Sequence, residues 1–479
     1  MPPIVALSLC LYFCFLVLRK DVKNHPEVSL VNWVPLLWML RCASKSITFW
    51  LNFSASLTGE EIGNADFFYL SSLMGMSVLI LARRGNQLQV LFRENAFLFL
   101  FFAYLAISCT WSPFVALSLK RWFRTMGDLM MALVILTEKH RLAAVAALFR
   151  RCALLFIPLS IILIKYYPSL GRAPARSWGG VWAPDMWVGV ATHKNTLGQL
   201  CLVSSIYFVW SYLLAKREGR PLPTFLFSKI PLHLFYLGMS FYLINGAGHS
   251  RSTTSILCLG VAISVFFTLG RFPKWNLRYR YFLPLLGCVL IAAYSLNAIS
   301  KLVFEKPLSE VGLAILGKRP DLTDRKQIWE TVIKFGMQHP FLGAGYMAFW
   351  SGEVSESFSE MFSQGLGQAH DGYLELWAHE GFVGLGIFLI AIYVLLKSAV
   401  KMCDVDFEYG RLRLMLIITI LVHNYSEAGF IRPNHLMWFV FLLVAINCPQ
   451  LPITKCSLAV NDDQNSTKIM PQTSVIFSV

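Results

Sequence analysis

The chain has 479 residues, 56% of them hydrophobic and only 14% charged, with a mean hydropathy of +0.56. A soluble chain of this length needs far more polar side chains to cover its surface, so that class is excluded. The formal net charge of +15 does not point to nucleic acid, because Lys and Arg fall mostly in short gaps between apolar runs, where they set membrane topology. Several of the 11 Cys lie inside apolar runs and no CxxC pair occurs, which argues against a disulfide framework or a zinc site.

Taken in order, the apolar runs are 4–18, 31–51, 66–82, 95–110, 125–138, 144–166, 196–215, 231–247, 254–270, 281–299, 373–397, 412–426 and 435–449. They predict an all-α polytopic membrane protein of 12 or 13 transmembrane helices, several of them shorter than the ~20 residues that span a bilayer comfortably. The uncertain one is 31–51, which contains Arg41 and Lys45. The first run has no charged region before it and no clear cleavage site after it, so it reads as a membrane helix rather than a signal peptide. Basic gaps at 19–23, 83–93, 139–141, 216–220, 271–280 and 397–413 predict a cytoplasmic side. The gaps around 52–65, 111–124, 168–194, 248–253, 300–372 and 427–434 then face outward, although 111–124 and 168–194 are themselves basic.

The chain thus divides into N-terminal helices with short loops (1–299), one large outward loop (300–372), C-terminal helices (373–449) and a polar, disordered cytoplasmic tail (450–479). The large loop contains an amphipathic helix. Thr323 caps its start, Ile328, Val332 and Phe335 form one stripe, and Gly336 and Pro340 close it.

Chemistry-bearing residues gather in the outward gaps. In 171–195, Arg172, Arg176, His193 and Lys194 lie among Trp178, Trp182 and Trp187. Cations beside aromatic plates suit a sugar diphosphate; a belt of interfacial Trp with some positive charge is the plainer alternative. In 248–255, Arg251 stands before an apolar helix whose start can hold an anion, or be simply capped by Ser252 or Thr253. In 322–350, Arg325 sits in the first helical turn, where a cation opposes the helix dipole and calls for an anionic partner; the following HPFLGAGY is a tight Gly-rich turn. In 368–384, His370 precedes a membrane helix and can take a proton from an attacking hydroxyl, oriented by Asp371 or Glu375, or can be an ordinary polar cap. His423, Asn424 and Glu427 lie at the outer end of the twelfth run, where ionisable groups are costly and default to function. The one DxD, Asp404–Asp406, falls in a basic cytoplasmic gap. Cationic side chains, rather than a metal or other cofactor, are therefore expected to neutralise any leaving group.

With these segments in hand, the sequence resembles the bacterial O-antigen ligase and polymerase superfamily. The matching pieces are ISCTWSPFVALSLKR at 107–121, GVATHKNTLGQL at 189–200, HSRSTTS at 249–255, LTDRKQIW at 322–329, HPFLGAGYMAFW at 339–350, AHDGYLELWAHEGFVGLG at 369–386 and HNYSEAGF at 423–430. The stretch VPLLWMLRCASKSITFWL at 34–51 is similar to exopolysaccharide-associated members. The resemblance implies a GT-C-like helical glycosyltransferase in the bacterial inner membrane. It implies a glycan donor on undecaprenyl diphosphate, an acceptor glycan or lipid A core at the periplasmic face, and inverting, metal-independent transfer. Membrane lipid and other polysaccharide assembly proteins are the further partners it implies. The family's motif Arg and His map to Arg325 and His370, and its Lys-Asn motif to Lys194 and Asn195. Where the family often has Gly and Asn, this chain has Asp324 and Asp371. A lipid-linked glycan flippase and a non-catalytic scaffold remain as alternatives from other classes.

Overall fold

A computed structural model describes residues 1–52, 63–176, 182–224, 230–247, 250–271, 323–362 and 367–448. The expected run 281–299, most of the first part of the large loop and the tail lie outside the described residues. In chain order the first helices are α1 (Pro3–Asn24), α2 (Trp33–Ala43), α3 (Ile47–Asn52), α4 (Asn64–Ala82), α5 (Gly85–Glu94), α6 (Ala96–Ser108), α7 (Val115–Leu136), α8 (Arg141–Tyr166) and the single turn α9 (Pro168–Gly171). A hairpin of β1 (Arg172–Arg176) and β2 (Trp182–Trp187) follows. Then come α10 (Lys194–Arg217), α11 (Leu232–Asn245), α12 (Thr253–Arg271), α13 (Thr323–Gly336), α14 (Glu353–Phe362), α15 (Gly372–Val405), α16 (Phe407–His423) and α17 (Leu436–Ala445).

The protein is all-α and polytopic, as expected. Among the described residues six helices are long and apolar enough to cross a membrane: α1, α4, α8, α10, α12 and α15. Counting the pair α5–α6, bent by 91°, as one broken span makes seven. The expectation of 12 or 13 exceeds this number. The difference lies in the shorter apolar helices α2, α11, α16 and α17, in the charge-bearing α7 (Lys120, Arg121, Arg124 and Asp128), and in 281–299. The run 31–51 is broken where Lys45 lies between α2 and α3. Lys45 is buried and donates to the carbonyls of Leu170 and Gly189, with its ammonium 4.9 Å from the Phe49 ring. A buried ammonium needs such partners, and these two tie the chain break to the loop that leads into α10.

Contacts between helix termini distinguish two ends of the bundle. At one end Arg217 on α10 pairs with Glu408 on α16 at 2.6 Å, and Arg84 beside α5 pairs with Glu138 after α7 at 2.6 Å. At the other end of α10 and α16 lie the starts of α12 and α15, joined through Asn195–Glu427, Ser426–Thr254 and Gly372–Asn424. Between them, Asp128 on α7 is fully buried and accepts from Trp38 Nε1 of α2 (2.7 Å) and from the backbone N–H of Asn434 before α17 (3.1 Å). One carboxylate on α7 thus satisfies donors from two other segments inside an apolar core.

The long helix α15 is broken at Gly381, whose backbone (φ 65°, ψ −172°) is left-handed and extended. The break frees carbonyls and N–H groups that a straight helix would pair internally. The Gly-rich turn at 339–345 takes them up. Ala344 and Gly345 donate to the carbonyls of Ala378 and His379 at 3.1 and 2.9 Å. Phe382 and Val383 donate to those of Pro340 and Phe341 at 2.9 and 3.1 Å. The turn is therefore a clasp on α15, and its N–H groups at 344 and 345 are spent on carbonyls rather than held open for phosphate. Gly343 has φ 72°, and a Cβ there would lie 2.3 Å from the His379 carbonyl oxygen. Gly343→Ala is expected to lower stability by about 2–3 kcal/mol through strain and overpacking. A thermal unfolding midpoint of the detergent-purified variant within a degree of the parent would contradict the clasp.

Candidate functional site

Helix α10 begins at Lys194, with His193 as its N-cap; the His193 Nδ1 accepts from the Asn195 backbone N–H at 3.2 Å. The Asn195 side chain then points across the bundle end and donates from Nδ2 to Glu427 Oε1 at 2.5 Å. The other carboxylate oxygen of Glu427 faces His370, with Oε2 3.7 Å from Nδ1, a contact beyond hydrogen-bonding length. Glu427 is 8% and His370 22% exposed, so the pair sits at the lip of the bundle end, inward of solvent but open to it. Three of the residues picked out in the sequence, from three distant segments, thus meet around one carboxylate.

His370 is held there by its neighbours. Its backbone is left-handed (φ 52°), an uncommon conformation for a residue with a side chain. Trp329 Nε1 on α13 donates to the carbonyl of Ala369 at 2.9 Å, and Ala369 N–H donates to Glu375 Oε2 at 2.6 Å. Arg432 donates to the Gly367 carbonyl (2.7 Å) and to Gln368 Oε1 (3.1 Å). The other non-glycine residues of positive φ among those described, Met347, Ile431 and Asn434, lie in the neighbouring connections of the same end. Strained backbone held by surrounding contacts often marks a working site.

Asp371 and Glu375, expected to orient His370, have other tasks. Asp371 Oδ1 caps α15, accepting from the N–H groups of Tyr373 and Leu374 at 2.9 and 3.0 Å. Glu375 accepts from Trp350 Nε1 (3.0 Å) and lies 3.6 Å from His379. The carboxylate facing His370 comes instead from the loop after α16. Asn424 shapes that loop, its Oδ1 accepting from Gly429 N–H (2.8 Å) while its backbone carbonyl accepts from Gly372 N–H (2.6 Å). It holds the start of α15 against the close of α16.

The other expected residues surround this centre. The starts of α10 and α12 lie side by side: a Cβ on Gly198 would be 2.5 Å from Ser252 Oγ and 2.6 Å from Ser255 Oγ. Ser426 donates to Thr254 Oγ1 at 3.2 Å, which joins the α12 start to the Glu427 loop. Two helix N-termini, with Lys194 on one and Arg251 just before the other, make this region favourable to an anion. Arg251 is exposed and donates to Asn245 Oδ1 at 3.1 Å. Arg172 donates to the Ile164 carbonyl (3.0 Å), closing the end of α8, and pairs in register with Trp187. Trp187 donates its backbone N–H to Ser250 Oγ (2.9 Å) and packs on Tyr242 at 5.2 Å. Arg176 and Trp182 pair in register on the hairpin, and Trp178 lies outside the described residues.

Arg325 lies in the first turn of α13, four residues before Trp329 and so on the same stripe of the helix. Ile328 and Val332 are fully buried against Phe349, Phe358 and Trp377, which fixes the face that α13 turns toward α15. Among the described residues no group of three or more His, Cys, Asp or Glu comes together as a metal cluster.

Residues 235–389 match the family model described as O-antigen ligase. Over that stretch, about a third of its length, the chain is similar to the O-antigen ligase family. The O-antigen ligase match covers most of α11, then α12, α13, α14 and the first half of α15, and it includes Arg251, Arg325 and His370. Lys194, Asn195 and Glu427 lie outside it, in segments that fold onto it. No curated protein matches the chain.

Arg432 and Lys45 were not singled out as site residues in the sequence. A cation in a short outward gap, against the usual charge bias, is the signal that marks Arg432. Trp329→Phe removes the bond to Ala369 and is expected to cost about 1 kcal/mol. Hydrogen exchange should accelerate across 323–336 and 367–371 while the bundle helices keep their protection. Unchanged exchange in both segments would show that Trp329 does not anchor His370.

Proposed function

We propose that this protein transfers a glycan from undecaprenyl diphosphate to an acceptor hydroxyl, at the periplasmic face of the bacterial inner membrane, with inversion and without a metal. The observation that carries this reading is the meeting of Asn195, Glu427 and His370, the last of which lies within the stretch similar to O-antigen ligase.

In this reading the acceptor hydroxyl gives its proton to His370 as its oxygen attacks the anomeric carbon. The bond from that carbon to the diphosphate oxygen breaks on the opposite face, in a single displacement. Glu427 orients the imidazole and balances the charge it gains, much as a carboxylate does behind a general-base His. The diphosphate leaves against Arg325, Arg251 and Lys194, with Arg172 and Arg176 on the flank and the starts of α10 and α12 adding their dipoles. Trp178, Trp182 and Trp187 offer apolar faces to the sugar rings. The acceptor is a growing glycan or lipid A core. The similarity of 34–51 to exopolysaccharide-associated members favours the growing glycan, and so a polymerase over a ligase. The whole has the character of a GT-C-like enzyme, with other polysaccharide assembly proteins as neighbours.

His370→Ala and Arg325→Ala are each expected to lower transfer by about 100-fold or more while membrane levels stay normal. Glu427→Gln, which retains an acceptor for Asn195 but loses the charge facing His370, should lower it by roughly tenfold. The assay uses protein in nanodiscs, an undecaprenyl-diphosphate oligosaccharide, EDTA, and separation of products by size. Full activity in the His370 and Arg325 variants would refute these roles.

A further inference from the structure

At the end of the bundle opposite the candidate site, the close of α1, the first half of α8 and the start of α11 surround a cavity of about 180 Å³. Its wall is apolar where Phe13, Leu16 and Leu154 line it, and cationic where Lys20 and Arg150 do. Helix α1 is at the perimeter, with Leu9, Tyr12 and Phe15 more than half exposed, so the cavity sits where lipid meets the protein.

The charges around it do not cancel. Asp21, also in the lining, is buried and is already shared by two arginines: it accepts from Arg150 Nε and, at 2.8 Å, from Arg151 Nε. Arg150 also donates from Nη1 to the Tyr207 hydroxyl at 3.0 Å, but its Nη2 is buried and makes no hydrogen bond. Glu27 is engaged by His25, whose Nδ1 lies 3.1 Å away. Burial, and then the neighbouring Arg150, hold His25 below its ordinary range. Lys20, Arg150 and Arg151 against Asp21 and Glu27 leave a positive balance beside the cavity, which an anionic ligand would offset.

We infer that this cavity holds the phosphodiester headgroup of an anionic phospholipid, with an acyl chain along Phe13, Leu16 and Leu154. A basic pocket between membrane helices, next to an apolar perimeter, fits that chemistry. A free phosphate would use the cations but leave the apolar wall unused. The site lies at the other end of α8 from the hairpin, and its occupancy is measured without reference to glycan transfer.

The test is native mass spectrometry of the full chain released from nanodiscs of phosphatidylglycerol and phosphatidylcholine in equal parts. The parent should retain phosphatidylglycerol at least fivefold over phosphatidylcholine. Arg150→Gln and Lys20→Gln should each lower that preference about fivefold, in line with the contribution of one cation to anionic-lipid binding, while Arg93→Gln on the exposed face of α5 should leave it unchanged. Because Arg150 also holds Asp21, Lys20→Gln decides the matter if the Arg150 variant does not fold. Equal retention of the two lipids, or a preference that survives Lys20→Gln, would overturn the proposal. So would displacement of the phosphatidylglycerol by millimolar inorganic phosphate alone, which would make this an anion site without a lipid requirement.

Discussion

Glu427 is the point at which the motif-bearing end of the bundle is joined. It stands in the loop that follows α16, it accepts from the side chain of Asn195 at the start of α10, and it faces the ring of His370 just before α15. A carboxylate that is 8% exposed at a membrane protein's end needs polar partners, and this one has the Asn195 amide as donor and the His370 ring opposite. The surrounding contacts follow from it. Asn424 and Gly429 shape the loop that presents Glu427, Ser426 reaches Thr254 on α12, and Arg432 reaches back to the segment before His370. Segments that are hundreds of residues apart in the chain become one surface because the loop after α16 bonds to each of them.

The second constraint is the low-dielectric interior, in which every backbone group must find a partner. Helix α15 breaks this rule at Gly381 and is repaired by the turn at 339–345, which contributes two N–H groups and two carbonyls to the break. The large loop is therefore not an appendage. Its Gly-rich turn completes a membrane helix, its amphipathic helix α13 buries Ile328 and Val332 on the same helix, and Trp329 reaches the residue before His370. Chain connectivity, helix integrity and placement of the His are one mechanical unit.

How much of this was legible in the sequence depends on whether the signal was local. The helix at 323–336 was readable from Thr323 and from the spacing of Ile328, Val332 and Phe335, because periodicity is a property of neighbours. The apolar runs were readable for the same reason. The break at Gly381 was hidden inside one such run, since hydropathy does not register a single left-handed residue. The hairpin of β1 and β2 was read as a loop, its Pro and Trp content masking a short antiparallel pair. His370 was singled out, but the carboxylate facing it was sought next door, in Asp371 and Glu375. Asp371 is bound to the N–H groups of its own helix, the ordinary preference of an Asp at that position. The partner that faces His370 is non-local, and no spacing rule connects 370 to 427.

The central claim is that Glu427 acts through His370 in glycan transfer. A double-mutant cycle on kcat/KM, with His370→Ala, Glu427→Ala and the pair together, tests it most directly. If the carboxylate works by way of the imidazole, the double variant will be no slower than His370→Ala alone. Losses that simply multiply would mean that Glu427 and His370 act independently, and would contradict the claim.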